Sequence, residues 1–149
     1  MGFSKNFRLA AAPGYRVERR RRVLIDSSAV MACVEDGCDF YGSLGEVLEG
    51  EVELLVPHPV LEELRRLAGG RGRRGRLARL ALALLLGGGP EWVAVRVVKA
   101  EGASVDEAIL RLAAEQGACI LTADRELASR ARALGLPTLT YVKSRRAFA

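Results

Sequence analysis

The stretch "ILTADREL", residues 120–127, places a short apolar run directly before Thr122 and Asp124. The arginine-rich residues that follow have a helix-like pattern and end at Gly135, a residue type that commonly closes a helix. This stretch therefore predicts a buried strand that ends close to an acid and leads into a helix. In parallel sheets, ligands bind beyond the carboxyl ends of the strands, so we expect Asp124 at such an edge.

The same alternation of strand and helix patterns runs along the chain. Apolar strands are predicted at residues 23–25, 51–57, 91–98, 118–121 and 137–142. Helices are predicted at residues 27–34, 43–49, 58–68, 76–86, 104–117 and 124–134, with Ser-x-x-Glu capping boxes starting at Ser43 and Ser104. Strands joined by helices form right-handed parallel crossovers. The predicted fold is therefore α/β, a three-layer α/β/α sandwich with a central, mostly parallel five-stranded twisted sheet.

The length of 149 residues suits one compact domain. Residues 1–21 lack a repeating apolar face and are expected to form a basic, loosely ordered N-terminal arm. The domain is expected at residues 22–143, followed by a short basic C-terminal tail at residues 144–149. The net charge of +5 and the pI of about 9.6 favour an anionic partner, although acidic residues are also numerous.

The cysteines do not indicate a metal site. Cys33, Cys38 and Cys119 lack C-x-x-C spacing, and His58 is the single histidine. We expect buried thiols in a reducing compartment, with a Cys33–Cys38 disulfide as the less favoured alternative. The N-terminus has no apolar signal-peptide core, and the longest apolar run, residues 77–86, is too short to span a bilayer. These features predict a cytoplasmic protein without a membrane partner.

Acidic residues follow two of the predicted strands and begin a helix. Asp26 ends the first strand, Asp124 follows the fourth, and Asp106 lies in the first turn of a helix. Each has a simpler explanation, since Asp124 can cap its helix and Asp106 can interact with its helix dipole. Their shared position at the carboxyl edge of the sheet makes a common site the alternative.

A fourth carboxylate comes from the helix predicted at residues 58–68. Its apolar positions define a buried face, and Glu63 lies at the shoulder of that face whereas Glu62 points to solvent. We expect Glu62 to pair with Arg66 one turn later, and Glu63 to reach a cleft.

Four neighbouring carboxylates repel one another unless a cation lies among them. An all-oxygen ligand set suits a hard cation, so the sequence predicts one or two Mg²⁺ or Mn²⁺ ions. Such ions activate water and stabilise a leaving oxygen, which makes phosphodiester hydrolysis the predicted chemistry.

Three blocks of the chain carry a family resemblance: "VLIDSSAV" at 23–30, "PHPVLEELRRL" at 57–67 and "SVDEAILRLAAEQGACILTADRELASRARALGLPTLTYV" at 104–142. Together they resemble PIN domains, especially archaeal VapC-like proteins and the PIN nucleases that process small-subunit ribosomal RNA. The resemblance covers roughly residues 22–143.

The resemblance implies a metal-dependent endoribonuclease in which water attacks phosphorus and leaves a 5′-phosphate and a 3′-hydroxyl. The family's catalytic and metal-binding acids match Asp26, Glu63, Asp106 and Asp124, and its supporting threonine matches Thr122. There are departures from the family pattern. Ser27 and Ser28 stand where Thr-Asn is usual, and Ala123 replaces a common Asn, so Ser28 can supply only a hydroxyl as support. Relatives can carry a second acid at the position of Glu107, for which we favour a capping role.

An RNA substrate also requires positive surface. The predicted RNA-binding residues lie in a glycine-rich loop: Arg71, Arg73, Arg74 and Arg76. Guanidinium groups bind phosphate in a bidentate manner. A general surplus of arginine over lysine, from heat adaptation or genomic composition, is the alternative explanation.

The chief rival function is a non-catalytic RNA-binding scaffold in ribosome assembly. Within the nuclease interpretation, a toxin held by an antitoxin protein competes with a processor of ribosomal precursor RNA. The apolar helix at residues 77–86 could serve a homodimer or the core. Other classes fit less well, because "IDSSAV" is unlike the glycine-rich turn of a dinucleotide-binding domain.

Overall fold

The computed structural model describes residues 20–149. The predicted arm, residues 1–21, therefore lies outside the described residues except for Arg20 and Arg21, and Arg21 begins the first strand. No helix in the described part of the chain is long and apolar enough to cross a membrane.

The elements alternate as the sequence predicts. The strands are β1 (Arg21–Ile25), β2 (Val52–Pro57), β3 (Val93–Val98), β4 (Cys119–Thr122), β5 (Thr138–Val142) and β6 (Ala147–Phe148). The helices are α1 (Ser27–Asp36), α2 (Phe40–Val47), α3 (His58–Ala68), α4 (Gly72–Leu86), α5 (Val105–Gln116) and α6 (Arg125–Ala133).

The strands form one sheet in the order β3-β2-β1-β4-β5-β6. Strands β1 to β5 are parallel, and β6 pairs antiparallel with β5. The order reverses between β1 and β4, because the chain first adds β2 and β3 on one side of β1 and later adds β4 and β5 on the other. Clefts form beyond the carboxyl ends of strands at such a reversal.

Helices cover both faces of the sheet. Consecutive residues of β1, Val23 to Ile25, are fully buried, although successive side chains of a strand point to opposite faces. Right-handed crossovers place α1 to α4 on one face and α5 and α6 on the other. The contacts agree, since α1, α3 and α4 pack on one another while α6 packs on β4 and β5. The predicted three-layer α/β architecture is confirmed.

Helix α4 is only partly a core helix. Ala81 and Leu85 are fully buried in the main core, whereas Leu80 and Leu86 are 56% and 49% exposed. A homodimer through the exposed side of α4 stays a prediction.

The C-terminal residues differ from the expected tail and add a sixth strand to the five predicted. Phe148 in β6 is buried, and its ring lies 5.6 Å from the rings of both Phe40 and Tyr141. The capping box predicted at Ser43 is also wrong, because α2 begins at Phe40 with Asp39 as its cap. Ser43 is therefore inside the helix, where its Oγ accepts a 2.9 Å hydrogen bond from Phe148 N. The side chain that binds the backbone of β6 is thus the buried Ser43, for which the Ser-x-x-Glu pattern predicted a position at the start of a helix.

The cysteine prediction also needs correction. Cys33 and Cys38 are joined by a disulfide, with a Cα–Cα distance of 4.9 Å. The reason is the turn between them, in which Gly37 at φ 69° closes α1 in the left-handed conformation and brings Cys38 back to the helix. Cys119 is a free thiol whose pKa is raised by burial.

Replacing Phe148 tests whether β6 is structural. Phe148→Ala removes a buried ring and leaves a cavity, so the free energy of unfolding should fall by about 3 kcal/mol. Urea denaturation measures this change. The control Arg145→Ala alters an exposed side chain of the same segment and should leave stability unchanged; equal effects of the two substitutions would contradict the assignment.

A polar contact between α1 and the C-terminal segment generates a pH prediction. Tyr141 Oη and Lys143 Nζ donate hydrogen bonds of 2.7 and 2.8 Å to the Asp36 carboxylate. The hydrogen bond from Lys143, followed by that from Tyr141, lowers the pKa of Asp36 below 3.8. Burial, together with Asp36 itself, raises the pKa of Tyr141 to about 12, so the phenol stays a donor throughout.

Asp36→Asn should lower the melting temperature by a few degrees at pH 7. A carboxyl whose pKa is lowered by folding stabilises the protein above its unfolded pKa, and this contribution is lost as the pH falls through the folded pKa. The difference between wild type and variant should therefore shrink below pH 3.8. Thermal unfolding across that range checks it, with the exposed Glu49→Gln as a charge-matched control; a difference independent of pH would contradict the prediction.

Candidate active site

A cavity of about 760 Å³ lies beyond the carboxyl ends of β1 and β4. All four predicted carboxylates line it: Asp26, Glu63, Asp106 and Asp124. They come from four separate segments, and the strand reversal brings those segments to one place. Their roles as catalytic groups and metal ligands stay predictions, whereas their convergence on one cavity is a feature of the fold.

Asp26 forms the floor of the cavity and is only 8% exposed. It occupies the N-cap position of α1, yet its side chain makes no capping hydrogen bond. Its Oδ2 instead accepts hydrogen bonds from Ser28 Oγ at 2.5 Å and from Thr122 Oγ1 at 2.9 Å. Among residues 20–149, no side chain donates to Oδ1, so this oxygen remains available to the cavity.

The two hydroxyls are directed at Asp26 by the backbone behind them. Ala123 N donates to Ser28 Oγ at 2.9 Å, and Asp124 N donates to Thr122 Oγ1 at 3.0 Å. A hydroxyl has one proton, and these amides occupy acceptor positions on both oxygens. Both protons therefore point to Asp26, although the two hydroxyl oxygens are also only 3.1 Å apart. The supporting contacts predicted for Ser28 and Thr122 are thus present as hydrogen bonds.

Asp124 uses one oxygen as a helix cap. Its Oδ1 accepts from Glu126 N at 2.8 Å and Leu127 N at 3.3 Å, at the start of α6. No other described residue donates to Oδ2. The capping explanation for Asp124 is therefore correct but incomplete, because Asp124 also lines the same cavity as Asp26.

Glu63 lies on the α3 side of the cavity and is partly buried. Ser27 Oγ donates to its Oε1 at 2.8 Å, a contact for which the sequence pattern gave no indication beyond the position of Ser27 next to Asp26. Glu62 is 58% exposed, as expected from helix periodicity. The predicted pairing of Glu62 with Arg66 is wrong, since Glu62 contacts His58 at 3.7 Å and Arg65 at 3.8 Å.

Asp106 does not cap α5. Ser104 caps that helix by accepting a 3.1 Å hydrogen bond from the backbone of Glu107, so the Asp106 carboxylate is left to the cavity. Burial, and then the negative charges of Asp26 and Asp124, raise the pKa of Asp106, while the Arg130 guanidinium lowers it. The carboxylates are therefore close enough to repel one another.

The donor set fits a hydrated hard cation better than a closed cage. Within residues 20–149, no three Asp, Glu, His or Cys side chains lie close enough together to enclose a metal ion. Mg²⁺ usually keeps several waters and binds through one or two carboxylates together with phosphate oxygens. Such a partial site would use the oxygens of Asp26 and Asp124 that accept no hydrogen bond from the described residues.

The predicted RNA-binding arginines separate into two groups. Arg74 lines the acidic cavity, together with Arg66, which the sequence analysis had placed in an ion pair. Arg73 lies 4.0 Å from Glu35, and Arg73 and Arg76 line a separate depression on α4. Arg71 is exposed at the N-cap of α4 and lines neither space. Of the four predicted residues, only Arg74 is next to the acids.

Comparisons with known proteins agree on the fold. The family model described as a PIN-like domain matches residues 23–144. Among solved structures, the PIN domain endonuclease Utp24 superposes with a TM-score of 0.64 at 21% identity, covering 85% of this chain and 88% of that one. A domain of a functionally unknown protein from Methanocaldococcus jannaschii DSM 2661 superposes with a TM-score of 0.62 at 18% identity, covering 80% of this chain and 90% of that one. A search of curated protein sequences gave no match.

Neutralising Asp106 tests the charge repulsion without any activity measurement. A carboxyl whose pKa is raised by folding destabilises the folded state at neutral pH, so Asp106→Asn should raise the melting temperature in metal-free buffer by about 2 °C. Added Mn²⁺ should then raise the melting temperature of the wild type more than that of the variant, because a ligand stabilises the state that binds it. Differential scanning fluorimetry measures both effects.

The exposed Glu91→Gln carries the same charge change outside the cavity and serves as the control. An equal response of wild type and Asp106→Asn to Mn²⁺ would count against Asp106 as a metal ligand.

Proposed function

This chain belongs to the PIN-like domain family, and on that premise we propose that it is a metal-dependent endoribonuclease. Its substrate is RNA, and the reaction is hydrolysis of phosphodiester bonds in the cavity lined by Asp26, Glu63, Asp106 and Asp124. Membership supports this, because PIN domains are generally nucleases that act on RNA and typically use divalent metals.

One observation carries the proposal. In Asp26 and Asp124 one oxygen accepts hydrogen bonds from protein donors and the other accepts none from the described residues. Both acids line a cavity that Glu63 and Asp106 also line. An acid that served only its own helix would not need three more carboxylates around it, since their repulsion costs stability. A bound Mg²⁺ or Mn²⁺, as one or two ions, supplies a means to activate water and to stabilise the leaving oxygen.

The protein's own groups have supporting tasks in this proposal. The hydroxyls of Ser28 and Thr122 hold the Asp26 carboxylate in one orientation, and Ser27 does the same for Glu63. The amides at the start of α6 fix Asp124. Ligands that are held in place before the substrate arrives lose less entropy on binding, so these contacts favour catalysis.

Two biological settings suit such a nuclease. It acts either as a VapC-type toxin that an antitoxin protein restrains, or as a processor of ribosomal precursor RNA. Purification from the native host separates them: a small DNA-binding partner in stoichiometric amount indicates the toxin, and association with precursor ribosomal particles indicates the processor.

Asp124→Asn is the sharpest test of the active site. Asn keeps an Oδ1 that caps α6 about as well as Asp does, but it replaces the second oxygen with an amide and removes the charge. The variant should therefore fold normally and lose cleavage of single-stranded RNA by about 100-fold or more, because a ligating carboxylate is gone. A gel assay with Mg²⁺ or Mn²⁺ measures cleavage, and circular dichroism checks the fold.

The control for Asp124→Asn is Asp39→Asn. Asp39 caps α2 through a hydrogen bond from Gly42 N and does not line the cavity, so this variant should cleave like the wild type. EDTA should abolish wild-type activity. If RNA binds but no divalent ion supports cleavage, the rival function, an RNA-binding scaffold in ribosome assembly, is the better account.

A further inference from the structure

The two arginines that line the acidic cavity both lie on one side of it. The cavity lining on the α3–α4 side includes Arg66 and Arg74 together with Glu62 and Glu63. The lining from α5 and the start of α6 is Val105, Asp106 and Asp124, without a basic residue. No other arginine or lysine lines this cavity within the described residues. A polyanionic strand that approaches the carboxylates is therefore attracted to these two guanidinium groups on the α3–α4 side.

The arginines directly adjacent to Arg66 and Arg74 in the sequence form ion pairs, and these two do not. Arg65 contacts Glu62, and Arg73 contacts Glu35. Within residues 20–149, neither Arg66 nor Arg74 has a carboxylate oxygen within 4.0 Å. Both guanidinium groups are thus exposed at the rim of an acidic cavity without forming an ion pair there.

The connection between α3 and α4 fixes the two residues relative to each other. Arg79 Nη1 donates hydrogen bonds to the carbonyl oxygens of Ala68 at 2.7 Å and Gly70 at 3.3 Å. Gly75 packs so closely on the Gly70 carbonyl that an added Cβ would lie 2.2 Å from its oxygen. A turn held in this way fixes the backbone of Arg74 relative to that of Arg66, which reduces the entropy lost when both side chains bind one ligand.

We propose that Arg66 and Arg74 together bind a backbone phosphate of the RNA strand next to the scissile phosphate. This proposal rests on the proposed nuclease function and assigns its substrate-holding residues. Two planar guanidinium groups offer several parallel N–H donors to phosphate oxygens, and a phosphate contact carries no sequence information. The remaining basic residues of α4, Arg73, Arg76 and Arg79, line the separate depression and do not take part.

RNA-binding measurements with matched variants test the proposal. The parent protein is the full chain carrying Asp124→Asn, with Mg²⁺ present, so that the labelled single-stranded RNA stays intact during fluorescence anisotropy. Adding Arg66→Ala or Arg74→Ala should each weaken binding about 5- to 10-fold at about 50 mM salt. Each loss should also make the salt dependence of log K shallower by about 0.7, the value for one single-strand phosphate contact.

The matched control is Arg76→Ala, added to the same parent. It removes the same charge from α4, two residues after Arg74, and should change the affinity by less than about twofold. An equal loss with Arg76→Ala would overturn the proposal in favour of a diffuse basic surface. Unchanged affinity with Arg66→Ala and Arg74→Ala, or no binding by the parent at about 50 mM salt, would overturn it outright.

Wild-type cleavage separates this proposal from the nuclease function beneath it. The same two substitutions are therefore also made without Asp124→Asn. If the wild type cleaves RNA, and Arg66→Ala and Arg74→Ala bind unchanged in the Asp124→Asn parent and cleave unchanged without it, the arginine assignment alone is overturned. If Arg66→Ala and Arg74→Ala both weaken RNA binding, and the wild type cleaves RNA with neither Mg²⁺ nor Mn²⁺, the assignment stands for RNA binding and the nuclease function is overturned.

Discussion

The pairing of β1 with β4 is the constraint on which the site depends. In this register Ile25 lies beside Leu121, so Asp26 and Thr122 are the next residues on neighbouring strands. A hydrogen bond from Asp26 N to Leu121 O continues the ladder to the edge of the sheet. The Thr122 hydroxyl is then within 2.9 Å of Asp26 Oδ2, and the chain beyond it delivers Asp124 to the same cavity. A shift of one residue would turn Thr122 to the other face of the sheet and break this arrangement.

The N-terminal ends of three helices offset part of the negative charge of the acids at the cavity. Asp26 and Asp124 stand at the N-caps of α1 and α6, and Asp106 lies in the first turn of α5. Each helix N-terminus carries a partial positive charge that favours a nearby anion. The compensation is incomplete, because the charges of Asp26 and Asp124 still raise the pKa of Asp106. The fold therefore tolerates a repulsion that a cation would relieve.

Sequence reasoning succeeded where the rule was local and failed where a contact joined distant segments. Asp26 and Asp124 could be placed together because both follow apolar strands of a parallel sheet, and Glu63 could be separated from Glu62 by helix periodicity. By contrast, the bond from Ser27 to Glu63 spans 36 residues and depends on how α1 packs against α3. The burial of Phe148 against α2 was missed for the same reason, since a two-residue strand has no periodicity of its own.

The positions of the arginine side chains could not be predicted from the sequence either. A cluster in a glycine-rich loop predicts positive surface, but the direction of each side chain depends on where the loop becomes a helix. Helix α4 begins at Gly72, and its helical geometry then places Arg74 at the acidic cavity while Arg73 and Arg76 line another depression. A difference of one or two residues around a helix is about 100–200° of rotation, so proximity in sequence is no guide to shared function here.

Asp124 shows why a structural and a functional role need not compete. A carboxylate has two oxygens and about four acceptor positions, and the two capping amides of α6 use only one oxygen. Capping α6 therefore leaves the second oxygen of Asp124 without a hydrogen bond from the cap, and it also restricts the rotation of the side chain. The Asp26 side chain makes no capping hydrogen bond. Its orientation is fixed instead by the hydroxyl groups of Ser28 in α1 and Thr122 in β4, which both donate to Oδ2. In both cases one oxygen is held by the fold, and the other is left for chemistry.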